Sequence, residues 1–229
     1  MTMLNSEHSL AGISLCEGMD AQAIEDISKQ CDWRVYPSGA HIIDKTSDSR
    51  EVFFITRGTV RVVEYSESGK EIVLDDLDAG CFFGELACID GQPRSTNVVA
   101  IYPTTVGIMK QEVFFRTLNH YPSFNLRLLQ QLTHLVRNSI NRIIDLSTLS
   151  VQSRVYGELL RLAAKRVQPD GSGRISPIPV HSELANRIST TRETVARVLS
   201  ELNRKGLVVK EQNVLVIKNI AELEALFHE

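Results

Sequence analysis

A carboxylate directly after a glycine, Gly84-Glu85, is followed nine residues on by an arginine and a hydroxyl, Arg94-Ser95. Arginine presents a two-pronged cation that matches a phosphate, and serine adds a hydroxyl donor. Glutamate repels a phosphate but grips a ribose hydroxyl. The pattern therefore describes a ligand with sugar and phosphate close together, and a cyclic nucleotide has that shape. One turn of helix in FFGELA would offer free backbone N–H groups to the anion, with Gly84 letting the backbone come near.

A second cluster lies in residues 180–208, VHSELANRISTTRETVARVLSELNRKGLV. A hydroxyl-rich start with His181 and Ser182 precedes a helical run through Leu184, Ala185 and Ile188. After a break at Ser189–Thr191, Val195, Val198, Leu199 and Leu202 mark the apolar face of a second helix. That is the layout of a helix-turn-helix, with the second helix free to enter a DNA major groove. Thr190 or Thr191 can cap it, and Arg192, Glu193 and Arg197 project from its first turns. Arginine pairs with guanine and glutamate accepts from cytosine, so the trio suits G·C pairs. A solvated amphipathic helix would carry the same charges. Ser189 stands where a glycine often makes such a turn, and a short polar residue tolerates the left-handed conformation.

These clusters sit in unlike surroundings. From Val151 onward there are 12 Lys and Arg against 9 Asp and Glu, but 13 against 19 before it, an asymmetry that weakly favours an anionic partner for the C-terminal part. From about Trp33 to Met109 short β-rich runs (HIID, VFFIT, TVRVVEY, EIVLDDL, VVAIYPTTVGIM) alternate with turn signals such as SGK at Ser68–Lys70 and AG at Ala79–Gly80. Their spacing predicts an antiparallel barrel or roll. After Pro122 the period becomes helical: Leu129, Leu132, Val136, Ser139, Ile143 and Leu146 form the a/d seam of a short coiled coil, which predicts pairing with a second copy. A helix over Ser153–Lys165, a Pro/Gly-rich loop and the hairpin LVVKEQNVLVIK, turning about Glu211–Asn213, complete the chain. Lys205, Lys210 and the hairpin backbone are candidates for phosphate contacts.

The apolar fraction of 43% and charged fraction of 23% are those of a soluble globular protein. No apolar stretch reaches a membrane-spanning length and the N-terminus lacks a basic region followed by an apolar block, so no membrane partner and a cytoplasmic location are expected. Cys16, Cys31, Cys81 and Cys88 show no metal-ligand spacing and read as reduced thiols.

The run FGELACIDGQPRSTNVVA resembles the phosphate-binding cassette of cyclic-nucleotide-binding domains, and GTVRVV and GKEIVLDDLDAG resemble its strands. RETVAR is similar to the recognition helix of the CRP/FNR type of bacterial transcription regulators, which the chain resembles over about 200 residues. The resemblance implies an α+β fold: a cyclic-nucleotide-binding β-roll over 1–121, a dimerisation helix over 122–148 and a winged helix-turn-helix over 149–229. It implies that Glu85 takes the ribose 2′-hydroxyl, while Arg94 and Ser95, with the amides near Gly84, Leu86 and Ala87, hold the cyclic phosphate. Val62, Leu74 and Leu77 fall where the family's base pocket lies.

On the long helix Ser139 matches a position that touches the base edge, although as a polar seam residue it could instead set dimer register. The next position, serine in the best-known member, is Ile140 here, which loosens adenine selectivity; the effector expected is cAMP, cGMP or both. For DNA, the resemblance implies contacts from His181, Ser182, Thr191, Arg192, Glu193 and Arg197 of a homodimer to a palindrome with a TGTGA-like core, and RNA polymerase as a partner if the protein activates. Neither a catalytic residue nor a metal is expected. Two alternatives are a redox or gas sensor on the same scaffold, using an iron–sulfur cluster or haem in place of the nucleotide, and a nucleotide-processing enzyme.

Overall fold

The structure, a computed structural model, describes residues 8–66, 69 and 71–228. Helix α1 (Ala21–Ser28) starts where the Asp20 carboxylate accepts from the Gln22 and Ala23 amides. Strands β1 (Asp32–Tyr36), β2 (His41–Ile43), β3 (Val52–Arg57), β4 (Thr59–Tyr65), β5 (Glu71–Asp78) and β6 (Phe82–Phe83) follow. A short helix α2 (Glu85–Asp90) leads into β7 (Asn97–Ala100) and β8 (Thr104–Met109), then α3 (Gln111–His120) and the long α4 (Pro122–Thr148). Beyond it come α5 (Val151–Ala163), β9 (Gly173–Ile175), α6 (His181–Arg187), α7 (Arg192–Arg204), β10 (Val208–Glu211), β11 (Val214–Ile217) and α8 (Ile220–His228).

Two antiparallel four-stranded sheets, ordered β1-β8-β3-β6 and β2-β7-β4-β5, make the roll. The unbroken apolar run of β3 is explained by burial on both faces. Phe53 and Ile55 point into a cluster shared with Ile43, Val60, Val98 and Val106, so the two sheets bury one core between them. Val52 and Phe54 face the other way, against Phe114 of α3 and Phe124 and Leu128 of α4. Each such side chain contributes about 1.5–3 kcal/mol on full burial.

The run VVAIYPTTVGIM is two strands rather than one, because the chain bends at Ile101–Pro103. The SGK turn lies outside the described residues except for Gly69, which has φ 75°. The sequence reading passed over α1, α3 and α8. The ten residues of α3 fall between the β-rich region and the helical period after Pro122, and α8 is nine residues long with no strong polar face.

The chain divides into two units, 1–136 and 137–229, and the division falls inside α4. Pro122 opens this helix, where its missing N–H costs nothing. Along it Leu132 packs against the core of the roll, while Leu129, Val136, Ile143 and Leu146 are 41–64% exposed. In the second unit α5, α6 and α7 bury Val155, Leu159, Leu184, Val195, Val198 and Leu202 against the sheet β10-β11-β9 and Leu223 of α8.

Candidate effector and DNA-binding sites

Gly84 caps α2 in the left-handed conformation, φ 86°, where only glycine is unstrained. A Cβ here would lie 2.8 Å from Arg94 Nη1 and 2.9 Å from the Glu51 carbonyl, so the glycine also makes room for the arginine. Arg94 is 3% exposed. Its Nη1 donates to the Gly84 carbonyl at 2.8 Å, Nη2 to the Glu51 carbonyl at 3.0 Å and Nε to Ser49 Oγ at 3.0 Å. The Glu51 carboxylate stands 3.6 Å from Nη2, and the guanidinium lies over the Phe53 ring, 5.7 Å from its centroid. Phe53 in turn stacks on Phe83 at 5.0 Å.

Burial draws the Arg94 pKa down while Glu51 opposes the shift, and a guanidinium stays charged regardless. Of its five N–H groups these bonds use three, which leaves two for a ligand oxygen. Glu85, the first residue of α2, is half-buried, and burial raises its carboxyl pKa against the pull of its own backbone N–H and of Arg94. A carboxylate short of solvent in this way gains from a hydroxyl donor.

The other residues expected at this site divide. Ala87 is buried and Leu86 is 37% exposed, both in the first turn of α2, and Ser95 is exposed beside Arg94 in the chain. Val62 and Leu77 are partly buried against the core between the sheets. Leu74 is 39% exposed at an irregularity where Val62 pairs with Asp75 but Val63 pairs with Val73. Ser139 belongs to the second unit, exposed on α4.

Three residues of this neighbourhood were missed. Ser49 and Glu51 hold Arg94 from 45 and 43 residues away in the chain, a separation at which no local pattern announces them. Asp75, paired across the sheet with Val62, puts a carboxylate in the row that carries the expected base pocket. Its place in the apolar run EIVLDDL was the available signal.

In the second unit Thr191 caps α7, its hydroxyl accepting from the Thr194 amide at 3.3 Å. Ser189 takes φ 54°, the left-handed turn between α6 and α7. Arg192, Glu193 and Arg197 are exposed along the first turns of α7. His181 is half-buried and Ser182 exposed at the start of α6, whose cap position is Val180 with no side-chain bond. The hairpin turns at Gln212, φ 52°, and Glu211 beside it holds Lys218 at 2.9 Å and Arg174 at 3.3 Å.

Lys205 lies at the opposite end of α7 from Arg192, paired with Glu201 at 2.9 Å. No helix among the described residues is long and apolar enough to cross a membrane, and none of their His, Cys, Asp and Glu side chains group to hold a metal ion.

Residues 33–121 match the cyclic nucleotide-binding domain, and residues 153–226 match the Crp-like helix-turn-helix domain. The chain belongs to the CRP/FNR-type regulators. Among CRP/FNR-type relatives, it is 25% identical over 215 residues to a CRP-like cAMP-activated global transcriptional regulator of Mycobacterium tuberculosis, covering 93% of this chain and 96% of that protein. A cAMP-activated global transcriptional regulator CRP of Pasteurella multocida is 27% identical over 198 residues, 85% of this chain and 93% of its own. The fold is shared with a CooA mutant from Carboxydothermus hydrogenoformans, with a TM-score of 0.77 at 22% identity over 92% of both chains. The catabolite activator protein of Thermus thermophilus gives a TM-score of 0.55 at 26% identity, covering 94% of this chain and 98% of its own. This CRP/FNR-type chain is thus a transcription regulator that joins a cyclic-nucleotide-binding fold to a DNA-binding one.

Proposed function

We propose that the roll binds a cyclic nucleotide, cAMP, cGMP or both, and that binding favours the conformation of a homodimer that engages DNA. The observation that carries the reading is the seat of Arg94: a buried guanidinium, fixed by three hydrogen bonds beside Gly84 and Glu85, with two N–H groups left to donate. The cyclic phosphate takes those donors with Ser95 and the amides of Leu86 and Ala87. Glu85 takes the ribose hydroxyl, and Val62, Leu74 and Leu77 line the base. The names of the cAMP-activated relatives support the same class of effector.

The exposed seam Leu129, Val136, Ile143 and Leu146 supports pairing of two α4 helices. Such a dimer places its two α7 helices on half-sites one helical turn apart in a palindrome with a TGTGA-like core. Thr191, Arg192, Glu193 and Arg197 then face the groove, with His181 and Ser182 toward the backbone. The effector acts by differential affinity for the two dimer conformations. The protein works in the cytoplasm, with RNA polymerase as a further partner where it activates. A redox or gas centre on this scaffold is not favoured, since the matched domain and the named relatives point to a nucleotide.

Isothermal titration with cAMP and cGMP, with and without a palindromic duplex, tests the reading. Binding of at least one nucleotide that tightens on adding the duplex is expected. Absence of binding by either overturns it.

A further inference from the structure

Arg94 already faces an anion. The Glu51 carboxylate lies 3.6 Å from Arg94 Nη2, its side chain 39% exposed, and its Oε2 accepts from the Arg50 amide at 3.0 Å. Glu51 thus meets the guanidinium twice, through its main-chain carbonyl at 3.0 Å and through its side-chain charge.

The two contacts differ in effect. Arg94 is aimed by three neutral acceptors, the Gly84 and Glu51 carbonyls and Ser49 Oγ, and by the Phe53 ring it lies over. The carboxylate is not needed for that aim, because 3.6 Å is beyond hydrogen-bond reach. What it adds is charge, which holds the Arg94 pKa up against burial. A phosphate on the remaining N–H groups of Arg94 shares one guanidinium with this carboxylate, and Glu85 adds a second negative charge close enough for Arg94 to feel.

Repulsion between the bound phosphate and Glu51 grows in proportion to the charge of the phosphate. A cyclic phosphate carries one negative charge. An open 5′-phosphate monoester carries close to two at pH 7. Glu51 therefore costs the open monoester about twice the free energy that it costs the cyclic diester.

We propose that Glu51 makes the phosphate site selective for a singly charged phosphate, weakening every anion that approaches Arg94 and a doubly charged one most. The proposal rests on the reading of the roll as a cyclic-nucleotide site. It gives the protein a means of rejecting the product of cyclic-nucleotide hydrolysis, a 5′-monophosphate with the same base and ribose.

Glu51→Gln in the full chain tests it, since glutamine keeps the size of the side chain and the main-chain carbonyl while removing the charge. Calorimetric titration is done at low ionic strength, where exposed charges are least screened. The variant should bind the cyclic nucleotide that the wild type binds about threefold more tightly or better. The corresponding 5′-monophosphate, 5′-AMP or 5′-GMP, measured by competition, should gain by about the square of the same factor, so that the preference for the cyclic form narrows. Cyclic-nucleotide affinity equal to or weaker than wild type overturns the proposal, and so does a 5′-monophosphate gain no larger than the cyclic one. Wild-type protein that binds neither cAMP nor cGMP overturns the reading of the roll itself, and the proposal with it. Should Glu51→Gln fail to fold, Glu51→Met, uncharged and of similar length, is held to the same two outcomes.

Discussion

Arg94 in the roll is 3% exposed and bound to three acceptors, whereas Arg192 and Arg197 at the start of α7 stand in solvent. On the proposed function the same residue type serves two recognition problems in two physical states. A small ligand of fixed shape is held most tightly by donors aimed before it arrives, because ordering them on binding would subtract from affinity. A DNA groove is wide and its phosphates attract from a distance, so the reading side chains can order on contact while the helix supplies their position. Substitutions in the roll should therefore disturb structure and binding together, and those on α7 should change binding alone.

The largest effect is expected from Arg94→Leu. It removes the charge partner of the ligand phosphate, at about 2–5 kcal/mol of affinity. It also strips donors from the Gly84 and Glu51 carbonyls, at about 1–3 kcal/mol for each that stays buried and unpaired. Calorimetric titration and thermal unfolding should both register the loss. The three bonds of Arg94 make this loss one of fold stability as well as of binding. Nucleotide affinity equal to wild type in a folded variant would remove Arg94 from the effector site.

Gly84→Ala should follow. The added methyl meets Arg94 Nη1 and the Glu51 carbonyl inside 3.0 Å at a backbone angle that alanine avoids. Strain of about 1–3 kcal/mol is expected, with Arg94 displaced. Melting temperature and nucleotide affinity should fall together, and a fall in neither would show that the seat is not built as tightly as its geometry implies.

On α7 the prediction is different in kind. Glu193→Ala should leave melting unchanged and lose about 1–3 kcal/mol of discrimination at one C·G pair while binding to other sequences persists. Anisotropy titrations against single-base operator variants, with nucleotide saturating, measure it. A profile shifted uniformly from wild type would mean that Glu193 does not read a base.

The same contrast explains what could be read from the sequence. The phosphate cassette was legible because Gly84, Glu85, Arg94 and Ser95 lie within one short stretch, and the motif around α7 because its apolar period and its cap at Thr191 are local. Ser49, Glu51 and Phe53 were not, since they reach Arg94 only through the pairing of β3 with β6 and the loop before it. Asp75 was visible only as an acid within the β-rich run EIVLDDL until the register set it opposite Val62. Helices α1 and α3 were missed because they cap the outer face of a sheet. Their apolar residues answer that sheet, through Ile27 and Phe114 in the cluster of Val52 and Phe54, and gave no long period of their own.

The smallest effect, and the sharpest for the comparison, belongs to Lys205. Read from sequence it is a phosphate contact whose loss should weaken all DNA sequences alike and flatten the salt dependence. In the fold it sits 13 residues beyond Arg192, about 20 Å along the helix axis, at the end opposite the one offered to the groove. Its ammonium is held 2.9 Å from Glu201 one turn back, and that hydrogen bond raises its pKa while lowering that of Glu201. An exposed pair of this kind adds little to stability, so Lys205→Ala should leave melting within experimental scatter. It should also leave the slope of log affinity against log salt concentration unchanged, since each phosphate contact contributes nearly one unit to that slope. A slope reduced by about one on titrating the variant at several salt concentrations would restore Lys205 to the interface. It would mean that α7 meets the duplex along its whole length, and the division between an anchored roll and a reading tip would then give way to a helix that both positions and reads.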